Sequence, residues 1–267
     1  MRYLYPNRLA NHWYNISMML DENYGKYEKE DGCVLLGIYC ITNKLNLRLE
    51  YNIDEREKFI IYQTEPLVDN HWHSPEKLID NLKQADEIWE YDIINYHYLR
   101  KLGFTNVSFK PFLYARILEN IQEKEPEIDV LFYGSMPLHR YEVLQKIDIF
   151  DKSIKFVLLY FIDGNQLDDY ISKSKIVLDL NTWKNGYQKQ ARISHLLNNK
   201  KCVLSEKSLL NFYGKGIVEF NIDIFDFENK ISFLLQDNNW KKQGQLGYEI
   251  LQDMNIQTFE NLYNEQI

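Results

Sequence analysis

A chain of 267 residues that is 45% hydrophobic and 26% charged, with 20 Tyr and 14 Phe, has the composition of a folded globular protein rather than a disordered one. It is long enough for two modest domains, each with a core of its own. A formal net charge of −8 argues against a nonspecific grip on nucleic acid, which needs cations to replace the counterions condensed on phosphates. The three cysteines, Cys33, Cys40 and Cys202, form no CxxC pair, and a reduced, cytoplasmic setting is expected. The N-terminal "MRYLYPNRLANHWYN" lacks the apolar stretch of a signal peptide, and no later run reaches the length of a membrane span. Any membrane association is therefore expected to be peripheral, at the inner membrane.

In chain order, a short strand from Arg2 leads into the helical "RLANHWYNISMMLDEN", where Leu9, Trp13, Ile16 and Leu20 share a face. The runs "CVLLGIYCI" and "KFIIYQTEPL" read as buried strands. "SPEKLIDNLKQA" reads as a helix capped by Ser74 with Pro75 at its first position, and "DIINYHYLRKLGF" as one running from Asp92 to Gly103 after the strand-like "DEIWEY". The charged "ILENIQEKEPEID", containing Pro126, separates two apolar blocks and is the linker candidate, giving domains 1–125 and 126–267. Beyond it the strands "IDVLFYG", "IKFVLLYF", "KIVLDL" and "KCVLS" alternate with helices beginning near Leu138, Asn165 and Tyr187. Continuous apolar strands separated by amphipathic helices predict a doubly wound parallel sheet, with a ligand at the C-terminal ends of its strands. The tail from "DIFDFENKISFLLQ" onward is helical in pattern and is expected to pack back across a domain face.

Three strand ends in the second half carry polar groups that a plain core does not need. Gly134, Ser135 and Arg140 follow the first strand; Asn181 ends the third, with Gln188 and Arg192 at the next helix; Ser205 and Glu206 end the fourth. Guanidinium forks match phosphate oxygens, and a carboxylate accepts from vicinal hydroxyls, so the set suits a phosphorylated ligand carrying a sugar, such as a nucleotide sugar. The alternative stays open that Arg192 forms a surface salt bridge and Glu206 is a loop residue. In the first half, His12 and Glu65 are candidate bases. The pair His71 and His73 has no third ligand at sensible spacing, and no metal is expected. There is no GxSxG, P-loop or GxGxxG.

The order "DVLFYGSMPLHR", "SKIVLDLN", "ARISHLLNNKKCVLSE" resembles the nucleotide-binding half of bacterial and phage glycosyltransferases of the GT-B fold. "IIYQTEPL", "ADEIWEYDIINYHYLRKLGF" and "VSFKPF" look like the acceptor half of the same proteins. The resemblance covers about Lys58 to Ser208 and implies an α/β protein of two Rossmann-like domains facing a cleft, with a C-terminal helical tail. It implies a metal-independent sugar transfer from a nucleoside diphosphate donor to a glycan, lipopolysaccharide or capsule acceptor, with no cofactor beyond the nucleotide-sugar substrate. By position, Gly134, Ser135 and Arg140 would lie near the donor phosphates, Asn181 and Arg192 would flank the donor, and Glu206 would sit near the sugar or ribose. Two alternatives go with it. One is a phage enzyme that modifies a DNA base, making nucleic acid the partner. The other is a non-catalytic nucleotide-sugar-binding module, for which Lys189, where many relatives carry a glutamate, and the short first half are the arguments.

Overall fold

The computed structural model describes residues 2–4, 10–24, 32–36, 46–67, 75–149, 153–184, 186 and 188–266. The chain divides into two compact units, one formed by residues 1–112 with 255–267 and the other by 113–254. Each is built on a parallel sheet of five described strands, so the α/β class and the pair of Rossmann-like domains expected from the sequence are what the protein has. No helix among the described residues is long and apolar enough to cross a membrane.

In the first unit, β1 (Arg2–Leu4), β2 (Gly32–Leu36), β3 (Lys58–Gln63), β4 (Glu87–Glu90) and β5 (Val107–Phe109) lie side by side in chain order. Every residue of β2 and all but the first of β3 are buried, the burial expected of parallel strands covered on both faces. The helices are α1 (Ala10–Tyr24), the single-turn α2 (Leu47–Glu50), α3 (Pro75–Leu82) and α4 (Ile93–Lys101). Asp92 caps α4, its carboxylate accepting from the backbone N–H groups of Ile94 and Asn95. Ser74, the expected cap of α3, falls outside the described residues, as do His71 and His73.

The second unit contains β6 (Ile128–Tyr133), α5 (Leu138–Lys146), β7 (Phe156–Leu159), α6 (Gly164–Ser172), β8 (Ser174–Asp179), α7 (Gln190–Asn198), β9 (Cys202–Glu206), β10 (Val218–Phe220), α8 (Ile224–Leu235) and α9 (Asn239–Asp253). Val130 and Phe132 of β6, Ile176 and Leu178 of β8 and Leu204 of β9 pack with Val143 and Leu144 of α5 and Phe227 and Leu234 of α8 in one core. The strand order is β10-β9-β8-β6-β7, all parallel. The chain therefore steps outward from β6 to β7 and then returns to the other side of β6 as β8. That reversal makes the C-terminal ends of β6 and β8 the topological switch point, where an open α/β sheet offers a crevice.

The last helix, α10 (Ile256–Gln266), belongs to the first unit, where Phe259 is fully buried with its ring against Phe109, and Tyr263 stacks on His97 at 4.2 Å. The charged segment read as the linker packs with the second unit. The N–H groups of Ala115 and Ile121 donate to the side-chain oxygens of Asn198 and Asn199 at 3.0 and 2.9 Å, and Asn199 Nδ2 donates to the Leu118 carbonyl at 2.8 Å. Those bonds carry the transition between units upstream of residue 125, to Phe112 and Leu113.

Candidate functional site

The switch point of the second unit gathers most of the residues singled out by sequence. β6 ends at Tyr133, and Gly134 follows with φ +128°, a backbone conformation that side chains other than glycine's rarely adopt. A Cβ there would also stand 2.7 Å from Arg192 Nη2 and 3.4 Å from Arg140 Nη1, so the bare glycine is what lets two guanidinium groups close on the turn.

Arg140 is 2% exposed and acts as a strut between two strand ends. Its Nε donates to the carbonyls of Leu180 and Asn181 at 3.0 and 3.2 Å, and Nη1 donates to the Ser135 carbonyl at 2.8 Å. None of these acceptors is charged. Burial, with the nearby Arg192 charge as the second cause, lowers the Arg140 pKa to about 10, so the group remains cationic at neutral pH.

Arg192 lies one turn into α7 with its Cζ 4.6 Å over the Tyr133 ring. Nη1 donates to Asp179 Oδ1 at 2.9 Å, and the two side chains are 15% and 0% exposed. The salt bridge left open by the sequence is thus present, and it is buried. The other carboxylate oxygen, Oδ2, is buried with no hydrogen-bond partner.

Glu206, at the end of β9, is engaged through both oxygens. Oε1 is 2.8 Å from His139 Nε2, and Oε2 accepts from the Asn181 N–H at 2.9 Å. Burial raises its pKa, and the hydrogen bond with His139 opposes that shift. Asn181 is fully buried, donating from Nδ2 to the Lys207 carbonyl and accepting at Oδ1 from Ser208 Oγ. Glu206 also lines a cavity of about 340 Å³ with Lys207, Ser208, Leu209, Phe220, Asn221 and Ile222.

Helices α5 and α7, which start beside these residues, have neither a side-chain cap nor an acidic residue in their first turn. Their N-terminal partial positive charge is left for something else. Gly134, Ser135, Arg140, Asn181, Arg192 and Glu206 are therefore brought to one end of one sheet. Sequence reasoning missed His139, Asp179 and Tyr133. His139 adjoins Arg140 and Asp179 sits two residues before Asn181, so both lay within the stretches already singled out.

Glu65 belongs to the first unit, in the turn after β3, with its backbone carbonyl accepting from Gln63 Nε2 at 2.6 Å and Asn95 Nδ2 at 2.8 Å. His12 lies on α1, and its side chain falls outside the described residues. Among the described residues there is no cluster of three or more metal-ligating side chains.

No family profile and no curated protein matches the chain. Solved structures do. An α1,3-fucosyltransferase with GDP-fucose is similar at 12% identity over 99% of this chain and 89% of that one, with a TM-score of 0.49. MurG from Acinetobacter baumannii is similar at 8% identity over 92% and 75%, with a TM-score of 0.41. A glycosylation-associated protein complex (Gap123) from Streptococcus agalactiae is similar at 8% identity over 96% and 57%, with a TM-score of 0.46.

Proposed function

We propose that the protein is a glycosyltransferase whose second unit binds a nucleoside diphosphate sugar at the β6/β8 switch point. One observation carries this reading: Arg140 and Arg192 close on Gly134 between two uncapped helix N-termini, at the sheet end where a doubly wound fold offers its crevice. A diphosphate is the ligand that uses such a concentration of positive charge.

In the proposed transfer, the bond from the anomeric carbon to the diphosphate breaks and its electron pair leaves on the phosphate oxygen. Arg192 and the helix termini stabilise the charge that develops there, which is why no metal is required. The acceptor hydroxyl forms the new bond, and its proton passes to Glu65 or His12. Glycan, lipopolysaccharide and capsule hydroxyls are the proposed acceptors.

A panel of nucleotide sugars, incubated with and without acceptor glycans and followed by nucleoside diphosphate release, tests the activity. Binding without release across the panel would replace the transferase reading with that of a nucleotide-sugar-binding module. Arg192→Ala should weaken nucleotide affinity at least tenfold, a loss of about 1.4 kcal/mol or more, as expected for a charge-assisted contact. Arg192→Lys should restore part of it, because a point charge replaces a fork. Affinity and melting temperature are to be measured on the same samples, and unaltered affinity in a folded Arg192→Ala protein would remove Arg192 from the site.

A further inference from the structure

The ion pair under the site is incomplete in a way that a purely structural pair has no reason to be. Asp179 is fully buried, yet Arg192 reaches it through one nitrogen only, and Oδ2 has no donor although an arginine fork can engage both carboxylate oxygens. Arg192 Nη2 is held instead against the open side of Gly134, and an Arg140 nitrogen flanks the same point. Arg192 is also the less buried partner, at 15% against 0%.

We propose that Asp179 is an internal counter-anion that positions Arg192 over Gly134 and competes with the diphosphate for it. The site's hold on nucleoside diphosphates is then set by the pair rather than by the arginine alone. This inference rests on the diphosphate-binding reading above. The carboxylate keeps a second cation beside Arg140 tolerable in the empty site, and a diphosphate must share Arg192 with it, which weakens binding and favours release of the nucleoside diphosphate product. Asp179 is thus a positioning residue, acting through Arg192.

The test uses the full chain and calorimetric titration with UDP, GDP and inorganic pyrophosphate. Asp179→Asn keeps the shape and an oxygen acceptor for Nη1 while removing the charge. It should tighten binding about tenfold, the effect expected of one unit charge a few ångström away. Arg192→Gln should weaken binding, and the double variant should bind like Arg192→Gln, since an effect routed through Arg192 disappears with it. A purely structural aspartate would lower the melting temperature without that pattern. Asp179→Ser, also neutral and hydrogen-bonding, gives a second reading of the same direction should Asp179→Asn not fold. If wild type binds, Arg192→Gln does not, and the neutral variants bind no more tightly than wild type, the inference about Asp179 is overturned while the diphosphate site stands. A double variant that keeps the tighter binding likewise removes the route through Arg192. Failure of wild type to bind any of the three probes, or equal binding by Arg192→Gln, overturns the diphosphate site and this inference with it.

Discussion

Glu90 closes β4 in the first unit with no exposed surface at all. Its Oε1 accepts from the Asp92 N–H at 3.0 Å and from Asn95 Nδ2 at 3.3 Å, and its Oε2 is buried without a partner. Burial raises its pKa well above the usual carboxylate range, and the neighbouring Asp92 charge adds to the shift. A carboxyl whose pKa is higher folded than unfolded holds its proton in the native state where the unfolded chain has released it. Stability is therefore lost as pH rises from the unfolded value toward the folded one. Glu90→Gln keeps the oxygen that accepts both hydrogen bonds and removes the titration. Near pH 4.5 the variant should match wild type, and it should gain relative stability above that, by at most about 1.4 kcal/mol per pH unit. Urea unfolding of both proteins at pH 5 and pH 8 reads the difference, and a variant that is less stable at pH 8 would show that Glu90 is charged and compensated. At this scale the sequence was informative about polar residues at strand ends and silent about their partners. Gly134, Arg140, Arg192 and Glu206 stood out because a polar group after a buried strand needs a reason. The partners Asp179 and His139 lie 13 and 67 positions away from Arg192 and Glu206, and only the parallel register of the sheet brings them together.

Among elements, α9 shows how a pattern that looks unfavourable locally is required by packing. Gly244 and Gly247 sit three residues apart on one face of the helix, and each lowers helix propensity by about 1 kcal/mol relative to alanine. That face presses on backbone. A Cβ on Gly244 would collide with the Lys200 carbonyl oxygen and stand 2.9 Å from its carbon, and one on Gly247 would meet the Gly216 carbonyl oxygen at 2.5 Å. Backbone cannot swing aside as a side chain can, so the collision outweighs the gain in propensity. Gly244→Ala should lower stability by about 1–3 kcal/mol despite its better helix propensity, the range seen for overpacked cores. Thermal unfolding followed by circular dichroism measures it, and a rise in melting temperature would mean that the helix can retreat from Lys200. The long elements were legible because burial imposes a period on them: the apolar runs of β3, β6, β8 and β9 and the capped start of α4 are all in place. The single turn of α2 and the three residues of β10 are too short to carry a period, and neither was expected. Composition marked the segment around Glu125 as a linker, but composition does not record that Asn198 and Asn199 hold its backbone.

For the whole molecule, the division of the chain assigns its last helix away from the helices that precede it, since residues 255–267 belong with 1–112 and α8 and α9 belong with 113–254. The sequence expected a tail that packs back across a domain face, and pattern alone could not say which face, because α8, α9 and α10 are all amphipathic. Phe259 makes the assignment testable. It is fully buried, its ring 5.8 Å from Phe109 of β5, so truncation removes a large side chain from the core of the first unit and from no other. Phe259→Ala should cost about 3–5 kcal/mol, the usual range for an aromatic-to-alanine change in a core. The loss should be local. Native-state hydrogen exchange reports free energies of opening segment by segment, and units with separate cores open separately. In the variant, amides of β2 to β5 and of α10 should exchange faster, while those of β6, β8 and β9, which carry the proposed diphosphate site, should keep their wild-type protection. Nucleotide affinity should then be unchanged as well, because the residues around Gly134 take no support from Phe259. Equal acceleration across both sheets would show that the two units open as one cooperative body, and a selective effect on β6 to β9 would place α10 with the second unit instead.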